Sequence, residues 1–277
     1  SFLYQRWIPE NKIFITNLWS SELSKLTANA FLAQRVSSIN SISAICEATG
    51  ADVREVSRAI GSDSRIGSKF LNSGPGFGGS CFKKDILNLV YLCQYFGLPE
   101  VANFWEAVVK LNEWHQHRIS KLIVKKLFGT ISSKKIAILG FAFKANTNDT
   151  RESAAITICK DLIIEGAILS IHDPKVDPNQ IAKDLGIDVK NRNDSENNTE
   201  LYSSEGEWFF SDSIDFALTG ADAAIVLTEW EEYGKLDWSK ISKLMRRPAW
   251  VFDARSTLLP EKVKEAGLNY WRIGDGS

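Results

Sequence analysis

Apolar residues in the first part of the chain recur every three or four positions, which is the spacing of an amphipathic helix. One helix can begin at Ser20 or Ser21 as its N-cap and end at Gly50. Asp52 can cap a short second helix, and Pro99 suits the first turn of a long fourth one. The predicted helices, which together span an all-helical domain over 19–129, cover residues 20–50, 52–61, 82–96 and 99–129.

After residue 134 the apolar residues come in short runs that alternate with helical segments. The predicted strands cover residues 136–139, 167–172, 223–227 and 250–252, and the predicted helices cover 153–165, 214–218 and 241–245. Alternation of this kind is typical of a parallel sheet with helices on its faces. Asn191–Glu207 is rich in Asn, Asp, Ser and Glu, so we expect a solvated or disordered insertion there. The sequence therefore predicts an α/β domain over residues 130–277.

The balance of charge narrows the classes of ligand. The chain has 277 residues, with 33 Lys plus Arg against 34 Asp plus Glu and a net charge of −1. This balance argues against a general nucleic-acid or anionic-membrane binder, although it leaves room for a local basic pocket. The longest apolar runs, such as Ala223–Leu227, are far too short to span a bilayer. The 4 cysteines lack the spacing of a zinc site, so we expect a soluble, cytoplasmic protein with reduced thiols and no metal.

Gly74–Asp85 carries the clearest chemical pattern. Its glycines let a ligand approach the main chain closely. Cys81 follows them at the predicted start of a helix, where unpaired N–H groups and the helix dipole favour a thiolate. Lys83 and Lys84 add positive charge, and Asp85 lies four residues on, where its carboxylate could hold a water or a lysine. Two interpretations stay open: a reactive nucleophile, or a buried cysteine in a tight turn.

Two further constellations could contribute to a site. Lys25 and Asn29 are four residues apart on one helical face, where they could stabilise an oxyanion; a solvated helix surface is the alternative. Lys144 and Arg151 fall between a predicted strand and the next helix, where open α/β sheets bind ligands. They could contact phosphate or form ordinary salt bridges. No G-x-G-x-x-G followed by a dinucleotide-binding unit occurs, so this fingerprint does not support NAD binding by the second domain.

These segments together resemble the UDP-glucose 6-dehydrogenase family, and they occur in order across nearly the whole chain. The motifs that carry the resemblance are N-L-W-S-S-E-L-S-K-L-T-A-N-A-F-L-A-Q-R at Asn17–Arg35, S-R-I-G-S-K-F-L-N at Ser64–Asn72, G-F-G-G-S-C-F-K-K-D at Gly76–Asp85, L-G-F-A-F-K at Leu139–Lys144, D-T-R-E-S at Asp149–Ser153, H-D-P-K at His172–Lys175 and T-E-W at Thr228–Trp230. The resemblance implies a central helical dimerisation domain, followed by a Rossmann-like parallel-sheet domain that binds the UDP-sugar.

The resemblance also implies a reaction, the NAD-dependent two-step oxidation of UDP-glucose to UDP-glucuronate. By the family pattern Cys81 is the covalent nucleophile, which forms first a thiohemiacetal and then a thioester with the substrate. Lys25 and Asn29 steady the oxyanion, while Asp85 orders the lysine and the hydrolytic water. Arg151 matches a residue that reaches the cofactor.

Eight positions match residues that hold the sugar nucleotide in the family. They are Arg65, Phe70, Leu71, Asn72, Phe77, Gly78, Lys144 and Arg255. Arg65 matches an arginine that reaches the substrate of a neighbouring subunit, so the resemblance implies a homodimer or a higher homo-oligomer.

The chain departs from the family pattern in three ways. Ala254 stands where the family usually has the glycine of F-D-G-R, and alanine resists a positive φ, which bears on the placement of Arg255. Lys83 stands where proline or glutamine is usual, which we expect to be tolerated. Family members begin with a Rossmann domain that carries G-x-G-x-x-G, a catalytic glutamate and a threonine, and residues 1–18 look like a remnant of the link from that domain.

We therefore expect this chain to fold and dimerise but to show little or no turnover alone, because nothing in it holds the nicotinamide against C6. Two alternatives remain: a non-catalytic module for sugar-nucleotide binding and dimerisation, or a dehydrogenase for another sugar nucleotide, such as GDP-mannose or UDP-N-acetylmannosamine.

Overall fold

The helical half of the molecule comes first in a computed structural model that describes residues 2–189 and 206–276. Its helices are α1 (Leu18–Thr49), α2 (Val53–Gly61), α3 (Phe82–Tyr95) and α4 (Pro99–Lys126), preceded by 3-10 turns at Tyr4–Arg6 and Glu10–Lys12. α1, α3 and α4 pack around a small apolar core that contains Ala30, Ala33, Ile86, Val90, Ala102 and Val109. The predicted helical domain is confirmed.

The ends of these helices follow the capping residues, with one difference from the sequence prediction. α1 begins earlier than predicted: the Asn17 side chain caps it by accepting a hydrogen bond from Ser20 N at 2.8 Å, so Ser20 and Ser21 lie inside the helix. Gly50, with φ of 83°, ends α1 as expected. Asp52 caps α2 by accepting a hydrogen bond from the Arg54 backbone N–H.

The second half is a six-stranded sheet in which every pair of neighbouring strands is parallel. The strands are β1 (Lys135–Leu139), β2 (Ile168–His172), β3 (Glu207–Phe210), β4 (Ala223–Val226), β5 (Trp250–Asp253) and β6 (Asn269–Arg272). Their order across the sheet is β3-β2-β1-β4-β5-β6, the order of a doubly wound dinucleotide-binding fold. The order in which strands are added to the sheet reverses between β1 and β4, so the site is expected at the carboxyl ends of these strands.

Helices cover this sheet. They are α5 (Ala154–Ile164), α6 (Pro178–Leu185), α7 (Ile214–Leu218), α8 (Glu231–Gly234), α9 (Trp238–Leu244) and α10 (Pro260–Glu265). Five of these elements, α6, α8, α10, β3 and β6, are not predicted by the hydrophobic pattern of the sequence. One prediction is wrong at its edge: Glu207, assigned to a solvated insertion, is the first residue of β3 and pairs with Ile168. Residues 191–205 of that segment lie outside the described residues. No described helix combines the length and the apolar character that crossing a bilayer requires.

The end of the chain ties the two halves together. After β6 the backbone returns to the junction of α1 and α2, where Val53 N donates to Gly274 O at 2.8 Å and Gly276 N donates to Ala51 O at 3.0 Å. The Glu47 carboxylate accepts hydrogen bonds from Gly274 N and from the guanidinium of Arg118 on α4. The two halves therefore share a polar junction as well as apolar contacts.

Candidate active site

The segment Gly74–Gly79, here called the glycine loop, lies between the helical half and the sheet half. On the helical side, Asn112 pairs with both backbone groups of Phe77: its Oδ1 accepts from Phe77 N at 2.9 Å and its Nδ2 donates to Phe77 O at 3.1 Å. On the sheet side, Gly79 N donates to Arg151 O at 2.7 Å. The loop is therefore held from both halves of the molecule.

Gly74, at the start of the glycine loop, is fixed by two buried side chains. Asn40 Oδ1 accepts from Gly74 N at 3.0 Å, and His115 Nε2 lies 2.9 Å from Gly74 O. Burial lowers the pKa of His115 to about 3, with the charge of Arg118 adding to the effect, so the ring is neutral at physiological pH. A neutral ring that meets a carbonyl through Nε2 carries its proton there and donates it to Gly74 O.

Two glycines of the loop have no room for a side chain. A Cβ on Gly78 would lie 2.5 Å from Glu152 O, and a Cβ on Gly76 would lie 2.9 Å from Asn112 Oδ1. Gly76 also has φ of 138°, which residues with a side chain rarely adopt. Close packing of the main chain therefore explains why this segment is rich in glycine.

Cys81 follows the glycine loop as the residue that precedes the first turn of α3, and it is exposed. Its carbonyl accepts from Asp85 N at 2.8 Å, and the Ser80 hydroxyl lies 3.6 Å from its sulfur. The other cysteines, Cys46, Cys93 and Cys159, are buried, and burial raises the pKa of the Cys159 thiol. Cys81 thus differs from the buried cysteine that the alternative interpretation required.

Lys25, Asn29 and Asp85 meet across the contact between α1 and α3. Lys25 Nζ and Asn29 Nδ2 each lie 2.5 Å from Asp85 Oδ2. Asp85 is 5% exposed, whereas the Lys25 side chain is 62% exposed. Lys25 and Asn29 therefore form part of a polar cluster, and the alternative of a merely solvated helix surface does not describe them.

The protonation states of this cluster follow from its contacts. Burial alone would raise the pKa of the Asp85 carboxyl, but the hydrogen bonds from Lys25 and Asn29 outweigh burial, and the pKa lies below its usual value. The hydrogen bond to Asp85 raises the pKa of Lys25, and the negative charge of a Cys81 thiolate raises it further. Cys81 adjoins this cluster, because it lies one helical turn before Asp85 and its carbonyl accepts from Asp85 N at 2.8 Å.

The loop after β1 forms the sheet side of the site. Asp173, at the end of β2, accepts from Phe141 N at 2.7 Å and from Ala142 N at 3.0 Å. These bonds set the position of the two residues that follow. Lys144 is exposed and lies 5.4 Å from the centre of the Phe143 ring. Among the described residues Lys144 forms no ion pair.

Arg151 lies in the same loop region and is exposed. It forms a salt bridge with Asp149 at 2.7 Å, so this part of the ordinary salt-bridge interpretation is correct. The hydrogen bond to Asp149 raises the pKa of Arg151, and the charge of a Cys81 thiolate contributes to the shift. An exposed guanidinium near Cys81 is suited to contact an anionic ligand that approaches the sulfur.

Arg255 is firmly placed, contrary to the concern that Ala254 raised. Ala254 has no positive φ, and its N–H donates to Val226 O at 3.2 Å; the left-handed residue is Ser256, with φ of 54°. Arg255 donates from Nε to Leu227 O at 2.8 Å and from a terminal nitrogen to Phe143 O at 2.9 Å. The turn therefore accepts alanine at position 254, because the positive φ falls two residues later.

A cavity of about 600 Å³ brings three of the predicted ligand contacts together. It lies between α2, the segment before the glycine loop and the end of β5, and Leu71, Asn72 and Arg255 line it. The other predicted contacts lie elsewhere. Phe70 is exposed with φ of 60°. Arg65 does not line the cavity; its side chain is 87% exposed and forms a salt bridge with Asp63.

Several residues that shape the site have no counterpart in the sequence predictions. Arg35 on α1 donates to three backbone oxygens of the segment before the cavity: Ile66 O at 2.8 Å, Gly67 O at 2.8 Å and Lys69 O at 3.0 Å. Asn40 and His115 hold Gly74 in the same way. The sequence does not single out Asn40 and His115, because other buried polar residues, such as Ser37 on α1 and Asn112 on α4, lie near them.

Comparison with known proteins places this geometry in one family. Residues 19–114 match the model of the UDP-glucose/GDP-mannose dehydrogenase family, central domain, and residues 137–260 match that family's UDP binding domain. Over 274 residues the chain is 52% identical to UDP-glucose 6-dehydrogenase of Drosophila melanogaster, with 99% of this chain and 56% of that protein covered. It is 49% identical to UDP-glucose 6-dehydrogenase 2 of Oryza sativa subsp. japonica, over 98% of this chain and 57% of that one.

A solved structure agrees. The UDP-glucose dehydrogenase of the archaeon Pyrobaculum islandicum matches with a TM-score of 0.71 and 27% identity, over 92% of this chain and 51% of that chain. The chain thus spans a little more than half the length of the curated relatives it matches. The domain matches and the high identity to these relatives together show that the chain belongs to the UDP-glucose/GDP-mannose dehydrogenase family and carries its central and UDP-binding domains.

Proposed function

We propose that the chain is the central and UDP-binding part of an NAD-dependent UDP-glucose 6-dehydrogenase, which oxidises UDP-glucose to UDP-glucuronate in two steps. The observation that carries the proposal is the exposed Cys81 at the start of α3, beside the Lys25–Asn29–Asp85 cluster. A nucleophile flanked by a cation, an amide donor and a carboxylate suits covalent chemistry at a carbonyl.

In the proposed reaction the first oxidation converts the C6 hydroxyl of the sugar to an aldehyde. The Cys81 thiolate then adds to the aldehyde carbon, and the oxygen of the adduct takes up negative charge. Lys25 and Asn29 stabilise that charge by hydrogen bonding. Loss of a hydride from the adduct carbon leaves a thioester. Water adds to the thioester carbon, the C–S bond breaks, and UDP-glucuronate and the thiolate are released. Asp85 keeps Lys25 protonated and in place through both steps.

NAD, when bound, supplies the acceptor for both hydrides. Of the described residues, Arg151 is the one we propose to reach it, because its guanidinium is exposed and its carbonyl accepts from Gly79 N at 2.7 Å, two residues before Cys81. We expect these 277 residues alone to show little turnover, since holding the nicotinamide against C6 takes more than one arginine.

The substrate contacts divide into two groups. Leu71, Asn72 and Arg255 line the cavity and are proposed to hold the nucleotide of a bound UDP-sugar. Phe70, Phe77, Gly78 and Lys144 are proposed as further contacts along the path to Cys81. Arg65 is exposed and does not line the cavity of its own chain, which supports the proposal that it reaches the substrate of a partner in a homodimer or larger homo-oligomer. We propose a cytoplasmic location for the enzyme.

Calorimetric titration of the chain with UDP-glucose, GDP-mannose and NAD tests the substrate. Selective binding of UDP-glucose is the expected result, and preferential binding of GDP-mannose would assign the chain to another sugar nucleotide.

Alkylation of the thiols, followed by mass spectrometry, tests the chemistry. Cys81 should react faster than Cys46, Cys93 and Cys159, and UDP-glucose should protect it. Binding of UDP-glucose without any change at Cys81 would instead indicate a non-catalytic module for sugar-nucleotide binding and dimerisation.

A further inference from the structure

Three hydrogen bonds hold the end of the glycine loop, just before Cys81. Asn112 on α4 forms two of them with the backbone of Phe77, and Arg151 O accepts the third from Gly79 N. All three lie on the amino-terminal side of the sulfur. The position of Cys81 therefore depends also on how the first turn of α3, on its other side, is held.

Lys83 connects this turn to both halves of the molecule. It is the second residue of α3, and its Nζ lies 3.2 Å from Glu113 Oε1 on α4 and 3.2 Å from Glu152 Oε2 in the loop before α5. Each carboxylate belongs to the residue directly after one that holds the glycine loop. The chain on either side of Cys81 is therefore fastened to the same two places.

The ion pairs of Lys83 span a gap that side-chain packing leaves open. Lys83, Glu113 and Glu152 all line one cavity of about 300 Å³, whose other walls come from the glycine loop, α4 and the first turn of α5. The lining of a void lacks the dispersion contacts that close packing supplies. At this end of the segment the three charges therefore supply contact that apolar side chains do not.

The three charges form a network rather than an isolated surface pair. Burial alone would lower the pKa of Lys83, but the hydrogen bonds and charges of Glu152 and Glu113 outweigh burial and raise it, so the ammonium group stays charged at physiological pH. The side chains of Lys83, Glu113 and Glu152 are 32%, 48% and 49% exposed. One half-buried cation that meets two carboxylates contributes more than a single exposed pair does.

Glu152 is itself closely held. Its φ of 54° lies in the left-handed region, which residues with a side chain rarely adopt. Its carbonyl oxygen packs against the glycine loop, where a Cβ on Gly78 would lie only 2.5 Å away. Such a conformation persists where the surroundings hold the residue in place. The ion pair with Lys83 thus joins α3 to a constrained point of the sheet half.

From these contacts we infer that Lys83 is a positioning residue for Cys81. Its ion pairs with the two glutamates hold the first turn of α3, and so keep the thiol where the N–H groups of that turn favour a thiolate. Proline or glutamine, which is usual at this position in the family pattern, can form neither ion pair, so the device belongs to this chain. The inference rests on the proposed function, because it takes Cys81 as the nucleophile.

The rate at which iodoacetamide, a neutral reagent, alkylates Cys81 tests the role of Lys83. Lys83→Gln should slow alkylation about threefold, and Lys83→Arg, whose fork can pair with both carboxylates, should restore most of the rate. Sodium chloride at about 1 M should slow the wild type and leave Lys83→Gln unchanged, because salt screens the ion pairs. A Lys83→Gln rate equal to that of the wild type at low salt would refute the inference.

The two glutamates separate positioning from a purely electrostatic effect. Glu113→Gln and Glu152→Gln each remove a negative charge near α3, which by charge alone would favour the thiolate and speed alkylation. Positioning predicts the opposite: each variant should slow alkylation about two- to threefold. Neither change should slow it further in the Lys83→Gln background, because the ion pair is already lost there. Faster alkylation in either glutamate variant would overturn the inference.

Glu106→Gln is the matched control on α4. It removes an exposed ion pair with Lys110 and should leave the alkylation rate of Cys81 unchanged. Slowing equal to that in Glu113→Gln would show that any loss of charge on α4 is sufficient, and would refute a specific role of Lys83. Thermal melts show that each variant is folded, and if Lys83→Gln fails to fold, the two glutamate variants decide the test.

Two further outcomes separate this inference from the proposed function. Wild-type Cys81 that reacts no faster than the buried cysteines would overturn the proposed function itself. A reactive Cys81 whose rate is the same in all the folded Lys83, Glu113 and Glu152 variants would leave the proposed function standing and would refute this inference alone.

Discussion

At the scale of single residues, Asp85 has the most contacts with the groups proposed for catalysis. The sequence predicted that its carboxylate could hold a lysine, and the structure confirms that contact with Lys25. The pairing of Asn29 with the same oxygen could not be read from spacing, because it depends on how α1 packs against α3. Helical spacing shows which side chains share a face, but it does not show what lies opposite that face.

Replacement of Asp85 by Asn should make stability less dependent on pH. Because the pKa of Asp85 is lowered in the folded state, its ionised form stabilises the fold above the ordinary Asp value of about 3.9, and this contribution is lost as pH falls through the lowered value. Asp85→Asn should therefore reduce the free energy of unfolding by about 1–2 kcal/mol at pH 7. In urea titrations, the difference in the free energy of unfolding between the wild type and Asp85→Asn should be smaller at about pH 3 than at pH 7. Asp212→Asn, at an exposed aspartate that forms no ion pair with the described residues, serves as the control. A loss of stability in Asp85→Asn that is equally large at pH 7 and at low pH would contradict the assignment.

Arg35 should affect ligand affinity rather than the nucleophile. Its three hydrogen bonds hold the carbonyls of residues 66, 67 and 69, and so fix the segment that leads to Leu71 and Asn72. Arg35→Ala should raise the Kd for UDP-glucose about tenfold and leave the alkylation rate of free Cys81 unchanged. Arg35→Lys can replace only some of the three hydrogen bonds that the guanidinium donates, so its Kd for UDP-glucose should lie between those of the wild type and Arg35→Ala. A parallel loss of Cys81 reactivity would indicate general misfolding instead.

At the scale of elements, the central strands and long helices could be predicted and the edges of the sheet could not. β1 and β4 are buried along nearly their whole length, so they appear in the sequence as continuous apolar runs. β3 and β6 lie at the two edges of the sheet, and β6 begins with an exposed and a half-buried residue. A strand that is buried on only part of its length lacks the apolar run that would identify it.

The glycine loop shows how a short element depends on its neighbours. Gly78→Ala would bring a Cβ to 2.5 Å from Glu152 O, which is backbone and cannot move aside cheaply. We expect the free energy of unfolding to fall by about 1–3 kcal/mol and the reactivity of Cys81 to change with it. Gly234→Ala is the matched control, because its Cβ would come no closer than 3.3 Å to Thr257 O. Thermal melts and alkylation rates of the two variants measure the contrast, and equal melts would argue against close packing at Gly78.

At the scale of the whole molecule, the spacing of apolar residues predicted a helical half followed by a sheet half. It did not predict which residues join the two halves. The residues that form the junction, Glu47, Arg118 and Gly274, are far apart in sequence and carry no shared motif. Contacts of this kind arise when the finished sheet returns the end of the chain to α1. Asn40 and His115 were missed as supports of Gly74 because each lies far in sequence from the glycine and meets it only when the helices pack.

Glu47 should matter more for stability than a surface acid does. Its side chain is 11% exposed, and it pairs at 2.7 Å with Arg118, whose side chain is 16% exposed. Glu47→Ala leaves that guanidinium buried without its ion pair and should lower the free energy of unfolding by about 2–3 kcal/mol. Glu47→Gln, which keeps a hydrogen-bond acceptor, should cost less. Glu106→Ala, which removes the exposed pair with Lys110, should change stability by less than about 0.5 kcal/mol in the same urea titration, and a similar loss in both would refute the prediction.

The hydrogen bond from Gly79 N to Arg151 O has a mechanical consequence. The stretch of backbone that ends at Cys81 is fastened to α4 through Asn112 and to the sheet half through this bond. Any rotation of one half against the other must either carry the sulfur with it or break the Gly79 bond. Opening of the molecule therefore requires either displacement of the nucleophile or loss of this bond, and the exchange rate of the Gly79 amide hydrogen reports how often the bond is lost.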